Sequence, residues 1–149
     1  MKLSTKSRYG TRLMAELANH YKKGPVSVGE ISRRQDISVK YLEQLIIPLK
    51  KAGLIKSTRG PKGGYSLTKS PDEITIGEIV EILEGGVEFS KCLRDPGRCE
   101  RTKSCATRRV WEEATEAVYE KLNSVTLSAL VKDIMHAQGE EAFLPSRCS

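Results

Sequence analysis

Apolar positions recur at helical spacing along the first third of this chain. Tyr9, Leu13, Leu17 and Tyr21 fall every four residues with Met14 and Ala18 beside them, a single stripe that predicts a helix over residues 5 to 22, stopped by Gly24-Pro25. Ser27-Val28-Gly29-Glu30 has the form of a capping box, the Ser27 hydroxyl taking the Glu30 N–H while the Glu30 carboxylate reaches back, and opens a short helix over residues 28 to 35. A third helix is expected from Ser38 as N-cap, with Ile37 and Leu42 placed as a hydrophobic staple. On it Val39, Leu42, Ile46 and Leu49 should face inward and Lys40, Tyr41, Gln44 and Lys51 outward, with Gly53 as the stop. Pro48 removes one backbone donor and should bend this helix near Gln44 or start a new turn there.

The period then changes. Leu54-Ile55-Lys56-Ser57-Thr58 and Tyr65-Ser66-Leu67-Thr68 flank Arg59-Gly60-Pro61-Lys62-Gly63-Gly64, which reads as a β-hairpin with a cationic tip. Thr75-Ile76-Gly77-Glu78 is a second capping box, opening a helix whose Ile76, Ile79, Val80 and Leu83 face the core and which ends at Gly85-Gly86. Residues 87 to 104 look irregular. A long helix follows over 105 to 123, with Val110, Trp111, Ala114, Val118, Leu122 and Val125 as a seam opposite Glu112, Glu113, Glu116 and Glu120. Leu127, Leu130, Val131 and Ile134 suggest one more helix, and 137 to 149 a loose tail. The fold class is therefore mainly α with a small β-hairpin. Its divisions are 1–86, a cysteine-bearing loop at 87–104, a helical pair at 105–136 and the tail.

Composition narrows the function. No apolar run approaches the roughly 18 residues of a membrane span, and the opening MKLSTKSRYG lacks the apolar core of a secretory signal, so a cytoplasmic protein is expected. The net charge of +6 is unevenly spread: residues 1 to 70 hold 15 Lys and Arg against 4 Asp and Glu, the remainder 10 against 15. A helix, short helix, helix and basic hairpin inside a segment of net charge +11 is the plan of a winged helix-turn-helix, whose third helix enters the DNA major groove. Ser38, Lys40, Tyr41 and Gln44 lie in its first two turns. The Gln44 amide suits adenine N6 and N7, and Lys40 suits guanine acceptors or a phosphate. Arg59 and Lys62 sit on a tip whose glycines allow close approach to the backbone or minor groove. No phosphate loop, histidine–base pair or nucleophile motif points to an enzyme.

Cys92, Cys99 and Cys105, spaced C-x6-C-x5-C, fall within 14 residues, while Cys148 stands apart. In a cytosolic chain such a group reads as metal-binding rather than disulfide-forming. Thiolates suit an iron–sulfur cluster, zinc, or a redox-active unligated state; the absence of C-x2-C knuckles favours the cluster over zinc.

The run YLEQLIIPLKKAGLIKSTRGPKGGYSL, the opening KLSTKSRYG and the three cysteines with CATRRVW together resemble the IscR, NsrR, RirA and CymR (Rrf-two) family of bacterial transcription regulators over roughly residues 1 to 135, and its cluster-binding IscR-type members most of all. The resemblance implies a homodimer of winged-helix domains, joined through the long helix after the cysteine loop, that binds a palindromic double-stranded operator, commonly as a repressor. It also implies a [2Fe-2S] cluster on Cys92, Cys99 and Cys105 as a sensor of cluster status, redox state or nitric oxide. A cluster-free regulator answering to thiols or a partner protein, as in cysteine metabolism, is the alternative within the class, and an iron–sulfur carrier the alternative outside it. The fourth cluster ligand does not transfer. The family's histidine position is Arg108 here, which has no lone pair to offer, and its carboxylate position on the first helix is Arg8. Glu100, Asp95, Cys148 or solvent remain for that role, and His20 and His136 read as surface or helix-end residues.

Overall fold

A computed structural model describes residues 3–139. Seven α-helices and one two-stranded hairpin follow in order: α1 Thr5–Asn19, α2 Val28–Gln35, α3 Val39–Lys51, β1 Ile55–Thr58, β2 Gly64–Leu67, α4 Ile76–Glu84, α5 Lys91–Arg94, α6 Ala106–Ser124 and α7 Leu127–Gly139. This is a winged helix-turn-helix followed by a long helix and a returning one.

The three N-terminal helices start where a hydroxyl can take up an orphan N–H: Ser4, Ser27 and Ser38 accept from Lys6, Glu30 and Tyr41 respectively. The expected capping boxes at Ser27 and Thr75 form by half only. Each hydroxyl binds its N–H, but the Glu30 carboxylate is drawn to Arg34 and that of Glu78 to Lys69, where a full charge is the stronger partner. The complete box belongs to Ser70 and Glu73, on a short 3₁₀ turn at Pro71–Glu73.

The core gathers Leu13, Met14 and Leu17 of α1, Ile31 of α2, Leu42, Leu45, Ile46 and Leu49 of α3, and Ile79 and Leu83 of α4. On α3 the buried stripe is 42, 45, 46 and 49, so Leu45 joins it. Val39 leaves it: at 39% exposure it projects past the end of the core, which Ile37 closes instead at 5%. α3 also runs unbroken through Pro48, so no new turn starts there. Proline's lost N–H leaves one carbonyl, that of Gln44, without its helical partner.

β1 and β2 pair antiparallel with Ile55 opposite Leu67 and Thr58 opposite Gly64. Residues 87 to 104 are more ordered than expected, since α5 and a 3₁₀ turn at Pro96–Arg98 break the stretch. The last helix extends beyond its apolar repeat to Gly139, which takes in the start of the expected tail. α7 returns to pack on α1, where Leu127 is fully buried. Among the described residues α6 buries none. Its far end rests on α4, whereas Val110 and Trp111 remain 55% and 42% exposed. No described helix is long and apolar enough to cross a membrane.

Candidate functional site

The outward face of α3 carries Lys40, Glu43, Gln44 and Ile47, spaced i, i+3, i+4 and i+7 and all exposed, Ile47 at 67%. Lys40 and Gln44 are where the sequence placed them. Glu43, whose carboxylate could accept from cytosine N4, and Ile47 were not foreseen, although the same spacing marks them. Ser38 and Tyr41 are more tightly held. The Ser38 hydroxyl caps the helix by accepting from the Tyr41 N–H at 3.3 Å. Tyr41 is half-buried, its ring edge-on to Tyr9 at 5.8 Å between centroids and its hydroxyl 2.8 Å from that of Thr5. These two residues fix the start of α3, and Lys40 and Gln44 project from it.

Wing and helix are braced against each other. The Lys50 ammonium at the end of α3 donates to the Ser57 hydroxyl on β1 at 2.8 Å. Val26 and Tyr65 exchange backbone hydrogen bonds of 2.8 and 2.9 Å, which ties the wing to the segment entering α2. Gly64 makes this approach possible: with φ +155°, a Cβ there would lie 2.3 Å from the Val26 carbonyl oxygen. At the tip the Gly63 N–H donates to Gly60 O at 2.9 Å, and Arg59 and Lys62 are exposed. Among the described residues Lys40, Arg59 and Lys62 make no ion pair, whereas Arg34 is engaged by Glu16 and Glu30 and Lys69 by Glu78.

The cysteine loop leads into α6. Cys92 lies in α5 with its Sγ 3.1 Å from the Ser90 hydroxyl, Cys99 is exposed after the 3₁₀ turn, and Cys105 is the N-cap residue of α6. All three thiols are free. A hydrogen bond from the Thr107 hydroxyl, 3.1 Å from Sγ, together with the Arg108 N–H, holds the Cys105 thiol below its ordinary range. Three thiols in one short loop, one of them with its pKa lowered, are donors of the kind an iron–sulfur cluster takes. As arranged they are not gathered, since among the described residues no three His, Cys, Asp or Glu side chains are placed to hold a metal ion.

The candidate fourth ligands are otherwise occupied or exposed. Asp95 caps the 3₁₀ turn by accepting from Gly97 N–H, and Glu100 is exposed. Arg108 Nε lies 2.9 Å from a Glu112 carboxylate oxygen, yet its N–H is not aimed there and stays buried without an acceptor. The exposed Arg8 guanidinium lies over the Tyr9 ring. His20 is the C-cap of α1 and His136 is exposed near the end of α7, both helix-end positions as expected. Cys148 lies outside the described residues.

Sequence reading missed the contacts that hold this loop to α4. Arg94 donates to the Gly85 carbonyl and to Glu88, each at 2.8 Å. The Tyr119 hydroxyl of α6 accepts from the Val87 N–H at 2.7 Å and donates to Glu81. No periodic pattern announces the Arg94 pairs, and the Tyr119 pairs are too distant in sequence for any local one.

A family profile described as Rrf2, iron-dependent transcriptional regulator, matches residues 3–133. The chain is 47% identical over 133 residues to Protein rrf2 of Nitratidesulfovibrio vulgaris, covering 89% of each. Among solved structures it superimposes on T. potens IscR with a TM-score of 0.76 at 42% identity, covering 93% of this chain and 91% of that one. It matches CymR, the global cysteine regulator of B. subtilis, with a TM-score of 0.75 at 43% identity, covering 89% and 97%.

Proposed function

The chain belongs to the Rrf2 family of transcriptional regulators, and from that premise we propose a homodimeric, operator-specific DNA-binding protein whose cysteine loop is its sensor. One observation carries the DNA-binding part: Lys40 and Gln44 on α3 and Arg59 and Lys62 on the wing are exposed, free of ion pairs among the described residues, and mounted on two elements braced by Lys50 and Ser57. With α3 in the major groove, the Gln44 amide pairs with adenine N6 and N7 while Lys40 takes guanine acceptors or a phosphate. Arg59 and Lys62 follow the backbone or minor groove. The exposed Val110 and Trp111 on α6 support a second copy meeting the first along that helix, and two-fold symmetry in the protein calls for a palindromic site.

Cys92, Cys99 and Cys105 are the residues that would hold a [2Fe-2S] cluster, whose irons supply redox and ligand-exchange chemistry when bound. Around it the chain's own part is to bring the three thiols together and, through Thr107 and the Arg108 N–H, to hold the Cys105 thiol below its ordinary range. With arginine at both positions 8 and 108, the fourth site falls to Glu100, Asp95, Cys148 or solvent, and a weak or solvent ligand would suit an exchangeable, signal-sensitive centre. A second reading, a cluster-free thiol switch, draws on the ungathered thiols and on the lowered pKa of the Cys105 thiol.

The test is the visible spectrum of anaerobically purified protein, with iron and sulfide counts. Cys92→Ala, Cys99→Ala and Cys105→Ala should each bleach it, and Cys148→Ala should not. A colourless protein with one zinc per chain would replace the cluster with a structural metal. A colourless, metal-free protein whose operator binding responds to thiol oxidants would favour the second reading.

A further inference from the structure

The cysteine loop and α3 stand at the two ends of a chain of hydrogen bonds joined through short stretches of backbone. α4 finishes at Glu84, a carboxylate at the helix end where the macrodipole disfavours negative charge. Three donors from α1 hold it there: the Ser4 N–H at 3.1 Å and the Ser4 and Ser7 hydroxyls at 2.6 Å each, Ser7 being buried. Partial burial alone would push this carboxyl up, but the bonds from Ser4 and Ser7 outweigh it and keep the group below its ordinary range and ionised.

Ser4 is the N-cap of α1, so Glu84 sets where that helix begins. Between the two clamped serines lies Thr5, whose hydroxyl meets that of Tyr41, and one turn later Tyr9 meets the Tyr41 ring. Tyr41 is flanked on α3 by Lys40 and Gln44. On the other side of Glu84, the left-handed Gly85 that ends α4 gives its carbonyl to Arg94, two residues beyond Cys92. Among the described residues α5 buries none, so the Arg94 bonds, with its packing on α6, are what hold it beside α4.

We propose that Glu84 is a positioning residue that fixes the first turn of α1 and, through Thr5 and Tyr41, the pose of α3, and that Arg94 links it to the cysteine loop so that the loop's state alters operator binding. The proposal rests on the reading of α3 as the groove-entering helix.

The test is a double-mutant cycle on the full chain, with an operator selected from a random duplex library and Kd read by fluorescence anisotropy. Arg94 and Tyr41 share no partner, so without a link the effects of Arg94→Ala and Tyr41→Phe multiply. With the link, the double variant departs from the product by about fivefold or more, and the departure collapses in a Glu84→Gln background. A merely structural role for Glu84 would lower affinity without producing that collapse. Multiplicative effects, or a departure that survives Glu84→Gln undiminished, overturn the link while leaving DNA binding in place. A selection that yields no preferred duplex overturns the assignment of α3, and the link with it.

Discussion

Gly64→Ala is a sharp test of how the wing is held. A Cβ at position 64 would lie 2.3 Å from Val26 O, 2.4 Å from Val26 C and 2.8 Å from Ser27 N, all backbone atoms and all below the 3.0 Å that real Cβ atoms essentially never breach. Backbone cannot rotate away as a side-chain tip can, so β2 and the segment entering α2 must part. Parting costs the two Val26–Tyr65 hydrogen bonds, about 0.5–1.5 kcal/mol each, and φ +155° adds about 1–3 kcal/mol for any residue with a Cβ. The total is about 2–6 kcal/mol. Gly60→Ala at the wing tip is the control: its φ is +113° but nothing lies within 4 Å of the added carbon, so only the backbone part remains. The difference between the two variants, about 1–3 kcal/mol, isolates the close approach. It should appear in the urea midpoint if the domain absorbs the strain. If the wing swings free instead, it should appear as weaker operator binding with a shallower salt dependence. Identical behaviour of the two variants in both assays would refute the claim that Gly64 brings the wing onto Val26.

Arg59→Ala and Lys62→Ala should each weaken binding to every duplex and flatten the slope of log K against log salt by about 0.9, one phosphate each; an unchanged slope in both removes the wing from the DNA. Gln44→Ala should cost roughly 1–3 kcal/mol on the cognate site and relax discrimination at one base pair per half-site, whereas equal loss on all sequences would make Gln44 a positioning contact. In a protein with Cys92, Cys99 and Cys148 changed to Ser, the alkylation rate of Cys105 should rise to half its plateau at a pH below the ordinary thiol value of 9.0, because a lowered pKa populates thiolate earlier as pH rises. Thr107→Val removes the largest stabilising bond and should move that midpoint upward, and an unmoved midpoint would discard Thr107 as the cause.

The elements that were legible in the sequence are those whose cause is local. The 42, 46, 49 stripe, the serine caps and the glycine-bounded hairpin each depend on residues within a few positions, and each appears where it was expected. What periodicity could not supply is where the core ends. Val39 continues the stripe of Leu42 and Ile46 but lies exposed, because Ile37 already closes the core there, and Leu45 is buried because a second helix face meets α1 and α4. Competition was equally hidden: Glu30 and Glu78 had capping geometry available and went to Arg34 and Lys69 instead. At the candidate site, side-chain type nominated Lys40, Gln44, Arg59 and Lys62, and the fold leaves all four exposed. The contacts from Tyr41 to Thr5 and Tyr9, from Glu84 to Ser4 and Ser7, and from Tyr119 to Glu81 join residues 32 to 80 positions apart, beyond the reach of any local pattern.

Charge by itself favours nucleic acid on the N-terminal half; partnership removes some of its cations from that role. Several of its 15 cations are used within the fold. Arg34 satisfies Glu16 and Glu30, Arg12 holds the Gln35 side chain and carbonyl, Lys50 braces the wing and Lys69 meets Glu78. A cation already paired with a carboxylate gains little from a phosphate, since it must give up one anion to take the other, and exposed pairs are worth at most about 1 kcal/mol to begin with. The unpaired Lys40, Arg59 and Lys62 give up only water and counterions, and their release into salt solution is what drives association with a polyanion. Lys6, Arg8, Lys22, Lys23, Arg33, Lys51 and Lys56 likewise lack a carboxylate partner among the described residues, so what singles out Lys40, Arg59 and Lys62 in the proposed complex is their place on α3 and the wing tip. In the proposed complex this puts phosphate contacts on both sides of Gln44, whose base-reading amide then works in a register fixed by its neighbours.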